Sequence, residues 1–189
     1  PGEPRFTDQA ALLEANRCLR CGGPLDPAPC TTACPADLDV PRIIAALARG
    51  SWEEAAQAIF AENLLGGSCA RICPTEELCE GACVLSRHGE RPIEIGRLER
   101  YATHLAFQNP WATFRTSASP TGKRVTVIGA GPAGLVCAGE LAALGHSVKL
   151  LEAAGEFGGL LRCEIAAKCS DPSPLPDEVR TIIGLGGEL

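Results

Sequence analysis

Apolar positions recur with a helical period through the first half of the chain. In residues 7–17 they fall at helical intervals, which predicts an amphipathic helix. Pro41 opens a second predicted helix and Gly50 closes it, because proline suits the first turn of a helix and glycine suits its end. We expect no strand in this half, since it shows no strand-like alternation of apolar and polar residues.

The next segments extend the helical pattern. Ser51 and Glu54 stand in the spacing of a capping box, which predicts the start of a helix over residues 52–63. This helix is expected to stop before Gly66 and Gly67. A last helix is predicted over residues 93–107. The first 107 residues are therefore interpreted as an all-helical domain.

The pattern changes after residue 107. Residues 108–122 are polar, contain prolines and serines without periodicity, and are interpreted as a linker. A strand is predicted over residues 123–128, a helix over 135–145 after a glycine-rich turn, and a second strand over 146–152. One more helix is predicted at about residues 177–184, and a third strand at most just begins. This order of elements is the start of a parallel sheet.

Composition narrows the class of protein. Hydrophobic residues make up 46% of the chain and aromatic residues only 4%, so the core must consist of Ala, Leu, Ile and Val. The net charge of −6 argues against a nucleic-acid or anionic-membrane surface. No apolar run of about 18 residues predicts a transmembrane helix, and no signal peptide opens the chain, so we expect a cytoplasmic protein. The chain has no methionine and begins with Pro1, so we expect it to be processed, trimmed or part of a longer polypeptide.

The cysteines are the strongest chemical signal in the sequence. Eight of the 11 form two groups, spaced C-x2-C-x8-C-x3-C from Cys18 to Cys34 and C-x3-C-x5-C-x3-C from Cys69 to Cys83. Without secretory features, such groups indicate metal or redox ligands rather than a disulfide framework. Zinc and iron–sulfur clusters both bind thiolates, and a nucleotide motif in the same chain favours iron–sulfur clusters because zinc has no redox role. A zinc-stapled nucleotide-binding module remains as an alternative.

The nucleotide motif is G-x-G-x-x-G, which follows the first predicted strand and opens the helix after it. Gly129 suits the tight turn, Gly131 lets the backbone approach a pyrophosphate, and Gly134 lets helix and strand pack closely. Glu152, at the end of the second strand, is placed to accept hydrogen bonds from a ribose. These features predict phosphate binding at the helix N-terminus. The residues expected to bind the cofactor are Gly129, Gly131, Pro132, Ala133, Gly134, Glu152, Gly158, Gly159 and Leu160.

The order of these motifs resembles one family. The runs C-x2-C…C-x3-C-P, CP-x5-C-x3-C, IEIGRLE, GAGPAGL and EFGGLL follow one another from about Cys18 to Leu161. This order is similar to iron–sulfur flavoproteins of the glutamate synthase small-subunit type, the N-terminal part of dihydropyrimidine dehydrogenase, and the large subunit of bifurcating NADH-dependent ferredoxin:NADP oxidoreductase. The resemblance implies an α + α/β fold. An all-helical domain with two [4Fe–4S] clusters, residues 1–107, would precede an incomplete FAD-binding, Rossmann-like βαβ domain, residues 123–189.

The resemblance also implies a ligand set that interleaves the two cysteine groups. One cluster is expected on Cys18, Cys21, Cys30 and Cys83, and the other on Cys34, Cys73, Cys79 and Glu99. Glu99 stands at the family's ligand position, whereas the residue types alone favour Cys69, since thiolate is the ordinary ligand. Arg71, Arg97 and Arg100 are candidates to pair with the negative clusters.

The implied function is electron transfer. We expect a subunit or fragment of an NAD(P)H-linked oxidoreductase that relays single electrons between FAD and a partner's redox centre. Its expected partners are other subunits of a redox complex, or the remainder of the chain. No residue is expected to act as a general acid, base or nucleophile. An alternative is a structural adaptor that keeps the clusters without working flavin chemistry.

The chain departs from the family pattern after Gly159. A loop near the flavin is altered and longer in residues 163–176, and the chain has no length left for the family's second nucleotide domain. Cys163 and Cys169 match no ligand pattern, and Cys137, on an apolar helix, is expected to be buried.

Overall fold

Helices come first along the chain and strands come later. A computed structural model describes residues 5–23, 25–109, 111, 118–168, 173–185 and 187–188. The described residues up to Trp111 form one compact unit, and those from Ala118 onward form a second. Residues 110 and 112–117 of the predicted linker lie outside the described residues, so the domain boundaries at 107 and 123 stay predictions.

The first unit is helical in its described part. Its helices are α1 (Asp8–Asn16), α2 (Pro29–Thr32), α3 (Val40–Ala48), α4 (Trp52–Glu62), α5 (Gly66–Ile72), α6 (Val84–Arg87) and α7 (Ile95–Gln108). α7 contacts α1, α3, α4 and α5, so it runs through the middle of the unit and carries Glu99 there. The sequence missed α2, α5 and α6, because helices of four to seven residues are too short to show a period.

Local sequence sets the ends of α1 and α3 as predicted. The Thr7 side chain accepts a backbone hydrogen bond from the first turn of α1 at 3.3 Å. Asp39 caps α3 in the same way at 3.2 Å, with Pro41 in the first turn. Gly50 follows α3 with a φ of +72°, a conformation that glycine adopts without strain.

The capping box predicted at Ser51 is wrong. Ser51 precedes α4, but its side chain makes no capping hydrogen bond. Its N–H donates to the Ala46 carbonyl at 3.0 Å, so this donor already has a partner. The Glu54 carboxylate bonds Arg49 Nη2 at 2.9 Å instead of closing the box.

The glycine pair expected to follow α4 opens the next helix. α4 ends at Glu62, as predicted to within one residue, and α5 begins at Gly66. A Cβ at Gly66 would lie 2.4 Å from Ile59 Cγ2, so α5 packs against α4 more closely than a side chain permits. Gly66 is needed for the close contact between α4 and α5. The sequence alone cannot distinguish such a glycine from one that ends a helix.

The core of the helical unit is aliphatic, as composition predicted. Its most buried side chains include Ile43, Ile44, Leu47, Ile59 and Leu98, each at most 1% exposed. Trp52 and Tyr101 meet edge to face, with 5.3 Å between their ring centroids. The Tyr101 hydroxyl donates to Asp8 at 2.9 Å, which ties α7 to α1.

A buried carboxylate ties the segment before α7 to α1. Glu14 is 5% exposed and accepts from Arg17 Nη1 at 2.7 Å, Arg91 Nη2 at 2.8 Å and the Glu94 N–H at 3.0 Å. Arg17 also donates to the Arg91 carbonyl at 2.5 Å. Since Arg17 directly precedes Cys18, these bonds hold residues 91–94 beside the first cysteine group.

The second unit is a parallel α/β arrangement. Its elements are β1 (Arg124–Ile128), α8 (Pro132–Ala143), β2 (Ser147–Leu151), α9 (Leu161–Lys168), α10 (Leu175–Gly184) and β3 (Gly187–Glu188). The strands pair in the order β1-β2-β3, with Arg124 beside Ser147, Ile128 beside Leu151, and Val148 beside Gly187. The predicted βαβ unit is confirmed, with a third strand of two residues.

Several details differ from the sequence prediction. α8 starts at Pro132 rather than residue 135, because proline suits the first turn of a helix. α9 was not predicted, and Cys137 is exposed rather than buried because it lies on the solvent side of α8. Cys169 lies outside the described residues. Over the described part of the chain, no helix combines the length and apolarity that crossing a bilayer requires.

Candidate functional site

Four of the predicted ligands converge on one cavity. Cys18, Cys21, Cys30 and Cys83 all line a space of about 410 Å³, part of it open to solvent. The rest of its wall is mainly apolar and includes Val40, Ile44, Leu85, Ile93 and Ile95. The fold therefore brings Cys83, from the second sequence group, to three thiols of the first group.

Three of these thiols lie in a helix or next to the end of one. Cys18 follows the last turn of α1, Cys30 lies in α2, and Cys83 is the residue before α6. Arg20 has a φ of +53°, uncommon for a side chain other than glycine, and its N–H donates to Cys18 Sγ at 3.4 Å. Backbone N–H groups aimed at cysteine sulfur are a feature that tunes iron–sulfur clusters.

The surroundings of this cavity disfavour bare thiolates. Burial raises the pKa of Cys30 to about 11 and also raises the pKa of Cys18, because an apolar environment penalises the charged form. A metal centre reverses this preference, since it binds the thiolate directly. Four thiols around one apolar cavity therefore fit a four-iron cluster in their donor chemistry and number.

The residues of the second predicted ligand set influence one another electrostatically. The charges of Glu99 and Cys34 act on both Cys73 and Cys79. Burial, and after it the neighbouring negative charges of Glu99 and Glu80, raise the pKa of Cys79 to about 12. Glu99 and Cys34 are thus close enough to Cys73 and Cys79 for their charges to act on both thiols.

Glu99 is a buried carboxylate and not a solvated helix charge. It is 7% exposed and lies on the side of α7 that faces the unit's interior. Burial, reinforced by Cys69 and Glu80, raises its pKa to about 8. Burying a carboxylate beside thiols is costly unless a cation or metal compensates, so the surroundings of Glu99 fit a metal ligand.

Cys69 is a close neighbour of this set. Cys69 and Cys73 share a hydrogen bond that lowers the pKa of Cys69 and raises that of Cys73, and the Asn63 side chain also bonds Cys69. The two thiols lie four residues apart, Cys69 in α5 and Cys73 directly after it. The structure therefore keeps both Glu99 and Cys69 within reach of the second site. The sequence had no signal for the contact with Asn63.

The described cysteines form no disulfides, and four of them line one cavity. All ten cysteines that the structure describes are free thiols. Among the same described residues, no three His, Cys, Asp or Glu side chains lie close enough together to hold a single metal ion.

The predicted dinucleotide residues meet at the carboxyl end of the sheet. The Gly129 N–H donates to the Leu151 carbonyl at 2.7 Å, so the turn folds back onto β2. The Gly158 N–H donates to the Ala130 carbonyl at 2.7 Å, which places the second glycine pair beside the turn. Pro132, Ala133 and Leu160 are exposed around the same turn.

The three glycines of the motif have different surroundings. A Cβ on Gly134 would lie 1.8 Å from the Gly129 carbonyl oxygen, so the turn itself requires glycine there. A Cβ on Gly131 would meet nothing within 4 Å, so the fold leaves open space beside the N-terminus of α8. Gly159 closes over this turn, since a Cβ there would lie 3.1 Å from Gly131 Cα. This space and the free N–H groups of the first helical turn fit a pyrophosphate.

Glu152 bonds the turn that it was predicted to accompany. Its Oε2 accepts the Ala130 N–H at 2.7 Å and its Oε1 accepts the Ala154 N–H at 2.9 Å. These backbone donors, Ala154 first, lower the pKa of Glu152. The carboxylate is therefore fixed at the strand end, with lone pairs left for a ribose hydroxyl.

Two family models match the chain, one for each unit. Residues 2–111 match dihydropyrimidine dehydrogenase domain II, 4Fe-4S cluster. Residues 127–181 match an NAD(P)-binding Rossmann-like domain. The order predicted from sequence, an iron–sulfur domain and then a Rossmann-like domain, is confirmed.

Curated relatives match most of this chain and are longer than it. The chain is 39% identical over 184 residues to the NAD-dependent dihydropyrimidine dehydrogenase subunit PreT of Salmonella typhimurium, covering 97% of this chain and 43% of the relative. It is 39% identical over 157 residues to the glutamate synthase [NADPH] small chain of Azospirillum brasilense, covering 83% and 32%. The chain thus spans less than half the length of these relatives. Because the iron–sulfur family model covers more than half of its residues, the chain belongs to the family of dihydropyrimidine dehydrogenase domain II, 4Fe-4S cluster.

Proposed function

We propose that this chain holds two four-iron clusters and FAD, and relays single electrons between the flavin and a redox centre of a partner. A four-iron cluster exchanges electrons singly, whereas a flavin also takes part in two-electron hydride transfer. The observation that carries the proposal is the convergence of Cys18, Cys21, Cys30 and Cys83 on one cavity. The residues of this chain bind, orient and tune these groups.

The first cluster is assigned to that cavity. The four thiolates would hold it, and the apolar wall would keep water away from its sulfurs. The Arg20 N–H would keep its bond to the Cys18 sulfur, which stabilises the thiolate form.

The second cluster is assigned to Cys34, Cys73, Cys79 and Glu99. Its support is the shared neighbourhood of these four groups and the burial of the carboxylate. The carboxylate would be the fourth ligand, and Cys69 would remain a thiol bonded to Cys73.

The flavin is assigned to the glycine turn. The open space beside Gly131 and the N-terminus of α8 would receive the pyrophosphate of the ADP half, and Glu152 would bind the ribose. Exposed Ile128 and Leu160 flank this turn and offer apolar contacts.

The partner is proposed to be another part of a redox complex. One of the relatives is named as a subunit of an NAD-dependent dihydropyrimidine dehydrogenase, and this chain covers 43% of it. We therefore propose that this chain works with further polypeptide that supplies the NAD(P)H site. We place it in the cytoplasm, since its clustered thiols need a reducing compartment.

One observation favours a second candidate, an adaptor that keeps its clusters but lacks flavin. Residues 163–176 depart from the family pattern of a loop near the flavin, and Leu161–Lys168 form α9. Flavin analysis of the anaerobically purified complex separates the two candidates. FAD in stoichiometric amount supports the relay, and clusters without FAD support the adaptor.

Cysteine variants test the interleaved ligand sets. We expect Cys83→Ser to remove the same electron paramagnetic resonance signal as Cys18→Ser, and Cys34→Ser to remove the same signal as Cys79→Ser. The physical reason is that each pair of side chains serves one cluster, although the two members of each pair come from different sequence groups. Each variant should lose about half of the cluster iron.

The contrary result is equally specific. If Cys34→Ser and Cys18→Ser remove one and the same signal, each cysteine group holds its own cluster and the interleaved assignment is wrong. Cys163→Ser is the matched control, because Cys163 is exposed and lies in the other unit.

A further inference from the structure

A basic groove lies beside the second candidate cluster. It runs along α7 and the end of α5, encloses about 830 Å³ that is partly open to solvent, and has Cys73 in its wall. Its charged wall residues are Arg71, Arg91, Arg97, Arg100, Glu80 and Glu94. Four cations thus share this groove with two carboxylates and one predicted cluster ligand.

Most of these charges have partners within the protein. Glu94 pairs with both Arg91 and Arg97. Glu80 accepts the Gly96 N–H at 2.9 Å. Arg71 Nη1 donates to the Gly67 carbonyl at 2.8 Å. The groove therefore keeps net positive charge after these contacts are counted.

Arg100 is the groove residue that directly follows Glu99 on α7. Its Nε is buried and has no hydrogen-bond partner within the described residues. A buried N–H that donates to nothing is uncommon in a folded protein, and it indicates a group that binds there in the functional state. Because Arg100 and Cys73 line the same groove, the group expected there carries negative charge and lies at the second site.

We propose that Arg100 sets the reduction potential of the second cluster by donating its Nε–H to a sulfur at Cys73. This inference rests on the proposed cluster at Cys34, Cys73, Cys79 and Glu99. Reduction adds one negative charge to a site that already holds four anionic ligands, so a nearby guanidinium favours the reduced state. Hydrogen bonds to sulfur and net local charge are the main means by which proteins tune such potentials.

The competing occupant of the groove is an anionic side chain of a partner protein. That occupant would also satisfy Arg100, but it would leave the potential of the isolated chain's cluster independent of Arg100. The potential therefore separates the two explanations.

The test compares Arg100→Gln and Arg100→Lys with the unmodified protein, each purified anaerobically with its clusters. Potentiometric titration followed by electron paramagnetic resonance reports the two clusters separately. We expect Arg100→Gln to lower the potential of the signal that Cys79→Ser removes, and to leave the other potential unchanged. Arg100→Lys keeps the charge without the planar N–H donor, so its shift should be smaller.

Arg49→Gln is the matched control. It removes the same charge from an exposed ion pair with Glu54, away from both cysteine sites. If Arg100→Gln shifts the second potential no more than this control does, the inference is wrong. If Arg100→Gln cannot hold the cluster, the Arg100→Lys potential decides, and an unchanged value overturns the inference. If the unmodified protein has only one cluster signal, the proposed function itself fails, which is a distinguishable result.

Discussion

At the scale of single residues, Glu99 departs most from what its neighbours in sequence suggest. It lies on a helix rich in charge, yet its side chain is buried next to thiols. The residue types alone favour Cys69 as a ligand, and only the resemblance pointed to Glu99. The structure places both near Cys73, because α5 presents Cys69 there and α7 presents Glu99.

Substitutions test whether Glu99 or Cys69 is the fourth ligand of the second cluster. We expect Glu99→Ala to alter or remove one cluster and to leave the other unchanged, because the carboxylate is the fourth ligand of one site only. Iron content should fall by at most about half, as loss of one of two four-iron clusters requires. Iron analysis and electron paramagnetic resonance measure this directly.

Cys69→Ser is the matched control, since it changes a neighbour of the same site. It should retain both clusters and their iron. If Cys69→Ser removes a cluster and Glu99→Ala removes none, the ligand is Cys69, and the buried carboxylate needs another explanation.

At the scale of elements, the glycine turn shows how much a motif specifies. Its spacing predicted the strand, the turn and the helix, and each is present. The spacing did not reveal that the motif's glycines serve different needs. Gly134 is required by packing against the Gly129 carbonyl, whereas Gly131 faces open space.

This difference gives a prediction about two matched variants. We expect Gly134→Ala to destabilise the α/β unit, since its Cβ would meet the Gly129 carbonyl oxygen at 1.8 Å. Gly131→Ala should lose FAD, because its Cβ would occupy only the pyrophosphate space, and should melt close to the unmodified protein when both are compared without FAD. Thermal unfolding and bound-flavin analysis together check both outcomes.

Gly155→Ala serves as the control, because a Cβ there meets nothing within 4 Å and the residue lies outside the motif. It should change neither stability nor flavin content. Retention of full FAD by Gly131→Ala would contradict the assignment of the pyrophosphate to this turn.

At the scale of the whole molecule, the sequence predicted the large features for identifiable reasons. The long helices α1, α3, α4 and α7 have clear periods, and the βαβ unit has a motif whose spacing is fixed by backbone geometry. The short helices could not be found, because four to seven residues complete at most two turns.

The candidate site was likewise predicted only in part from the sequence. Thiol spacing indicated metal ligands, but it could not decide which cysteines share a cavity, since that depends on contacts between distant segments. Nor could a pattern reveal the buried Nε of Arg100 or the hydrogen bond between Cys69 and Cys73. These features depend on how α5 and α7 pack.

Iron and acid-labile sulfide, measured per chain on anaerobically purified protein, test the central claim most directly. We expect about eight of each, because two four-iron clusters contain that many, together with the broad visible absorption of such clusters. Zinc in place of iron, with no labile sulfide and a colourless protein, would contradict the account.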